Sequence, residues 1–210
     1  MITWQPPGND NGSGEDSPKV ADHPDFDRSA GTYKRELWTP ESYNSFAESH
    51  GWGSRCYSEL NFERPELNSL RDLWFSIAEK KNGPPSRADF DARTLKPFLP
   101  NISLVDCVAQ KKGRSRYRFR LQGTELTRLF GEQTGRYADE FFPPDNLPRW
   151  IMGYDVVIDG RRPVRFTSRF VLPLVSHLDG ESFSAPLVSE DKHGWGILGA
   201  LYVRPKEGIV

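Results

Sequence analysis

Residues 116–122, RYRFRLQ, alternate arginine with Tyr117, Phe119 and Leu121. A side-chain period of two belongs to a β-strand with one covered face, because successive Cβ atoms point to opposite sides of the pleat. The stretch therefore belongs in a sheet, with Arg116, Arg118 and Arg120 facing away from the three apolar residues. Gly123 ends it, and the TELTRLFG that follows is too short to be a helix on its own. Its Leu126, Leu129 and Phe130 need a surface to lie against, so the strand must lead into a sheet roofed by brief helices.

The preceding segment NISLVDCV is almost continuously apolar, as a strand covered on both faces would be, and QKKGR supplies the glycine of a hairpin turn between the two. Further along, RPVRFTSRFVLPL sets Val164, Phe166, Phe170 and Leu172 against Arg165, Thr167 and Arg169. ESFSAPLVS follows an expected turn at SHLDG and pairs back on it, and HGWGILGALYV reads as a central strand. Five strands result, the first and fifth inside the sheet and the second and third further out. Pro186 lies in the fourth, where a missing ladder donor predicts an end or a bulge near Ala185.

Two longer helices frame the strands. In PELNSLRDLWFSIAEKK, Leu67, Leu70, Leu73, Trp74 and Ile77 form one apolar stripe, and the lysine pair before Gly83 suits a helix C-terminus. Over about residues 145–158, Leu147, Ile151, Tyr154 and Ile158 recur at helical spacing with Trp150 beside them, and Gly160 ends the run. Between residues 86 and 102, Asp89 and Asp91 are candidate N-caps of a helix kept short by Pro97 and Pro100.

Charge divides the 210-residue chain: residues 1–63 carry 5 Lys and Arg against 11 Asp and Glu, and the remainder 23 against 18. The polar, Gly- and Pro-rich opening cannot bury enough apolar area to offset the entropy of ordering it, so residues 1–63 are expected to form an acidic, largely disordered leader to a domain over 64–207. Within the leader, Tyr33, Trp38, Tyr43, Phe46 and Trp52 either dock on the body or accompany a short helix near residues 40–49. Lacking an apolar run of membrane-spanning length or a signal-peptide pattern, the chain is expected to be cytoplasmic. Cys56 and Cys107 make no disulfide framework and have no metal-ligand spacing, and Cys107 reads as a packed small hydrophobe.

The order of elements resembles the PAS domain, and the bacterial PAS family in particular, through Trp74, Gly83, Pro85, Arg87, Asp89-Phe90-Asp91, Leu95, Pro97, Leu99-Pro100, Arg118-Phe119-Arg120, Gly123-Thr124, Gly131 and Thr134-Gly135-Arg136. That resemblance implies an α+β fold: a five-stranded antiparallel sheet of order 2-1-5-4-3, helices on one face, and the helix from residue 67 ahead of it. In this frame Gly123 permits an unusual backbone angle, Thr124 caps and Glu125 favours the helix start. The resemblance also implies a non-catalytic sensory or regulatory module that binds small molecules, partner proteins or a second copy of itself.

The concave interior would be lined by Leu129, Phe130, Phe141, Trp150, Ile151, Tyr154 and Phe166, a lining that suits a filled core as well as an apolar ligand pocket. Haem is disfavoured because residues 145–158 contain no histidine, and a flavin adduct because the covering helices lack cysteine. His177 and His193 are expected in turns. The stripe of Leu67, Leu70, Leu73, Trp74 and Ile77 is the expected homodimer surface. An enzyme has little support: HExxH, GxSxG and P-loop patterns are missing, and neither Asp106 nor Glu125 forms an acid/base pair. Nucleic-acid binding through Arg114, Arg116, Arg118, Arg120, Arg161, Arg162 and Arg165 is disfavoured by a net charge of −1.

Overall fold

The computed structural model describes residues 26–27, 32–33, 37–109, 115–172, 175–189 and 194–205. Two short strands, β1 (Phe26–Asp27) and β2 (Thr32–Tyr33), pair only with each other. The domain proper follows with α1 (Pro40–Ser49), β3 (Ser54–Tyr57), α2 (Pro65–Lys81), α3 (Ala92–Leu95), β4 (Ile102–Val108), β5 (Arg116–Gln122) and α4 (Thr124–Phe130). It closes with α5 (Leu147–Gly160), β6 (Val164–Leu172), β7 (Val175–Val188) and β8 (Trp195–Pro205).

One antiparallel sheet runs β3-β6-β7-β8-β4-β5. The expected five-strand order 2-1-5-4-3 is therefore incomplete. Taken from the β5 edge, the sheet reads β5-β4-β8-β7-β6 and then gains β3, whose Cys56 lies opposite Phe166. Residues placed with the leader by their charge thus complete the sheet. Thr39 and Ser42 form a capping box at the start of α1, with Pro40 in the first turn. Asn44 on α1 then donates to the Cys56 carbonyl at 2.8 Å and accepts from the Cys56 amide at 2.7 Å, tying helix to strand.

The helices lie on both faces of the sheet, not one. On the first face, α5 and α1 bury Val105, Tyr117, Phe119, Phe166 and Ile197. On the second, Leu67, Leu70 and Trp74 of α2 pack against Leu104, Phe183, Ala185 and Leu198, with Phe90 and Phe98 from the connecting segment. Strand alternation feeds both layers: in β8, Ile197 faces α5 while Leu198 and Ala200 face α2. Leu121 departs from the expected face, because Arg120 is an extra residue in the β4–β5 ladder. This bulge pairs Leu121 with Leu104, on the α2 side, while Tyr117 and Phe119 stay on the α5 side.

Other local expectations are corrected for identifiable reasons. Pro186 neither ends nor bulges its strand, which continues to Val188 opposite Trp195. The β6 ladder stops at Ser184, so one side of β7 has no strand neighbour there. The Pro186 carbonyl, which points the same way as the missing N–H would, accepts from the Trp74 indole at 3.2 Å. SHLDG is no turn, since β7 begins at Val175 and includes His177; His193 lies outside the described residues. Gly123 has an ordinary φ of −71° and is itself the N-cap position, with Thr124 inside the helix. Its need for glycine is spatial: a Cβ would overlap the carbonyl oxygens of Leu99 and Pro100. Asp89 is not an N-cap but the third residue of a turn started by Ser86, accepting from the Ser86 amide at 2.6 Å. Asp91 occupies an N-cap position, but its side chain makes no capping bond. The left-handed residue ending α5 is Arg161, φ 49°, one position beyond Gly160.

Candidate functional site

Between α5 and the sheet lies a cavity of about 80 Å³. Its aromatic wall is Trp150, Tyr154, Phe166 and Phe170, and its floor is the serine-bearing middle of the sheet: Ser103, Ser168, Ser182 and Ser184. Small residues create the space. Gly153 on α5 sits above Phe166, where an added Cβ would stand 3.6 Å from the ring, and Gly199 on β8 makes room for the Ser103 hydroxyl.

Of the seven residues expected in the pocket, Trp150, Tyr154 and Phe166 line it. Phe130 packs at its rim, with ring centroids 5.6 Å from Phe170 and 6.1 Å from Trp150. Phe141 turns away to Phe119 and Phe142, Ile151 packs into the core around α5, and Leu129 is half-buried without reaching the cavity. The serines escaped notice because a serine in an alternating strand reads as solvated surface unless the facing helix is known.

Arg149 is the other lining residue that the sequence did not single out. It stands in the first turn of α5, and its guanidinium lies over the Phe170 ring at 5.1 Å. Nη1 makes one long bond, 3.4 Å, to the Arg169 carbonyl, and Nη2 is buried without a hydrogen-bond partner. Burial pulls the Arg149 pKa down, and the Tyr43 hydroxyl beside it offsets this in part. Tyr43 comes from α1, and its hydroxyl bonds Ser54 at 2.7 Å. Burial pushes the Tyr43 and Tyr154 phenols up, so both stay neutral near pH 7.

A second concavity, about 250 Å³, lies on the opposite side around Arg165, Glu181 and Arg204. Its charges are largely neutralised internally, by Arg165–Glu181 at 2.7 Å, Arg204–Glu63 at 2.9 Å and Arg169–Asp179 at 3.7 Å. Glu181 also accepts from the Glu63 and Arg64 amides, so this groove is the seam that fixes the start of α2. The smaller cavity is the better ligand site, because it combines an aromatic wall with Arg149, whose Nη2 is buried without a hydrogen-bond partner.

The residues expected at a dimer surface serve the monomer. Leu67 and Leu70 are fully buried, Trp74 nearly so, and Leu73 and Ile77 flank them half-buried. The expected basic face is divided among local pairs: Arg116 with Asp139 at 2.7 Å, and Arg120 with Asp106 at 2.9 Å. Arg118 donates to the Gly135 carbonyl, Arg161 lies over Trp195, and Arg114 is outside the described residues. Glu125 is paired with Arg128. Among the described residues, no group of three or more His, Cys, Asp or Glu could hold a metal ion, and no helix is long and apolar enough to cross a membrane.

A family model of the PAS domain matches residues 63–202, the stretch that holds α2, α5 and five of the six strands of the antiparallel sheet. The chain belongs to the PAS domain family. A comparison with curated proteins finds no match. PAS domains are non-catalytic sensory and regulatory modules. In this PAS domain α1 and β3 precede the matched region, yet Tyr43 of α1 joins the cavity wall and β3 completes the sheet.

Proposed function

We propose that this PAS domain is a sensory or regulatory module that takes a small molecule into the cavity beneath α5 and passes its state to a protein partner or a second copy. The observation that carries the reading is the cavity itself. Side chains of α5, α1 and four strands converge on it, and polar side chains (Arg149 and four serines) line it beside the aromatic wall. A filled core would close such a gap, since interiors pack to crystal-like density.

Trp150, Tyr154 and Phe166 contact the ligand, and Phe130 forms the gate with Trp150 and Phe170. The partner meets the outer side of α2, where Phe75 is 44 % exposed, because Leu67, Leu70 and Trp74 are already occupied by the sheet. Residues 64–207 constitute the sensory unit, with 37–63 completing its wall and edge.

Native mass spectrometry of the full chain purified from its own host tests both parts. The expected result is a retained small-molecule mass that disappears in Gly153→Leu, together with a change in oligomeric or partner-bound state. A chain that carries no adduct and keeps one assembly state whether or not the cavity is filled by Gly153→Leu would count against the proposal.

A further inference from the structure

The cavity presents its strongest polar group, the Arg149 guanidinium, without a counter-charge. Among the described residues Arg149 makes no ion pair, and the group beside it that offsets its burial is the neutral Tyr43 phenol. Its two terminal nitrogens are under-used: Nη1 has one bond at 3.4 Å and Nη2 has none. Guanidinium does not deprotonate in proteins, so the charge persists in this site despite its partial desolvation. Its place in the first turn of α5 adds nothing to offset that, since the helix dipole there also favours a negative charge over a positive one.

From this we infer that the cavity is a receptor for a small monocarboxylate, with Arg149 as its anion anchor. The inference rests on the ligand site proposed above. A carboxylate matches the planar fork of the guanidinium and can take two parallel N–H···O bonds, which a neutral acceptor cannot match in strength. Trp150, Phe166 and Phe170 surround the remainder, so the rest of the ligand is apolar. Size narrows the class: 80 Å³ of accessible space corresponds to roughly six water-sized positions, which admits a short-chain acid and excludes a nucleotide or a flavin.

The test titrates the full chain with sodium propionate and, separately, with the isosteric neutral propionamide, holding ionic strength constant with chloride. Melting temperature and the 15N shift of the Arg149 side chain are read together. Propionate is expected to raise the melting temperature saturably and move the Arg149 signal, with propionamide at least tenfold weaker. Arg149→Met should erase the difference between acid and amide, and Arg149→Lys, which keeps the charge but loses the fork, should retain a reduced preference for the acid. The lysine variant also guards against a methionine variant that does not fold. Inorganic phosphate binding as well as propionate would overturn the planar-carboxylate assignment. Equal responses to acid and amide would overturn the anion anchor while leaving the pocket standing. No response to either probe, with no adduct in native mass spectrometry, would overturn the pocket and the anchor together.

Discussion

Removing the Glu181 carboxylate should detach the start of α2 from the sheet. Glu181 projects from β7 and is 9 % exposed, and its two oxygens accept from the Glu63 amide at 3.0 and 3.1 Å, the Arg64 amide at 3.1 Å and Arg165 Nε at 2.7 Å. The helix has no capping bond of its own, since Arg64 stands at the N-cap. Glu181 therefore supplies from a distant strand what the N3 Glu of a capping box supplies locally, an acceptor for the N-cap amide. Glu181→Ala orphans all three donors. Hydrogen bonds to a charged group are worth about 1.5–3 kcal/mol, and breaking a buried ion pair costs about 3–5 kcal/mol. The three bonds share one carboxylate and the amides can reach water, so these figures do not add, and the expected loss is about 3–4 kcal/mol. Glu181→Gln keeps one acceptor oxygen and should lose about 1–2 kcal/mol. Equilibrium urea unfolding followed by tryptophan fluorescence gives the stabilities, and amide exchange at residues 63–68 locates the effect. A Glu181→Ala chain that loses less than about 1 kcal/mol, or whose α2 amides exchange no faster, would refute the account of how this helix is anchored.

Other perturbations follow from the same packing. Leu70→Ala should cost about 2–5 kcal/mol in urea unfolding, while Phe75→Ser on the exposed side of the same helix should stay within about 0.5 kcal/mol; comparable losses would mean the stripe is not committed to the sheet. The Cys56 thiol is buried in β3 with its pKa pushed up by burial, so in the folded protein it should react with iodoacetamide only as fast as the sheet edge opens. Rapid alkylation of Cys56 at pH 7 would show that residues 54–57 do not complete the sheet. Asp89 is held down at about 2, from an ordinary 3.8, first by its bond from Lys81 and then by Ser86. A depressed carboxyl stabilises the fold fully above its unfolded pKa, and that contribution is lost as pH falls through the folded one, here from pH about 4 toward 2. Carboxyl 13C titration of Lys81→Met should show Asp89 moved up toward 3.8, and an unchanged value would remove Lys81 as the cause.

The alternation of RYRFRLQ, the apolar runs in β4 and β8 and the helical spacing in α2 and α5 were legible before any coordinates because each is a local periodicity. Secondary structure follows from such periods, since burying one face requires the same spacing whatever the partner is. Which partner it meets is not local. The stripe of Leu67, Leu70 and Trp74 looks identical whether it covers a sheet or a second copy, and only the position of Phe183 and Leu198 across from it decides. The bulge at Arg120 turns Leu121 to the other face without altering the alternation that the letters display.

Charge misled in the same way. An acidic, glycine-rich opening describes residues 1–63 as a whole, but Tyr43, Ala47 and Cys56 are almost fully buried, because a short strand with a capped helix can pair to an existing sheet edge at little entropic expense. Arg149 shows the limit most sharply. Its sequence neighbours mark only an arginine beside a tryptophan on a helix; that its Nη2 is buried without a hydrogen-bond partner depends on where α5 crosses strands from distant parts of the chain. Sequence alone determined the periods, and hence five strands and the longer helices of the domain, and its particular residues carried the family resemblance. Tertiary structure decided the partners, the second covered face and the unpaired charge in the cavity, because those depend on which surfaces meet.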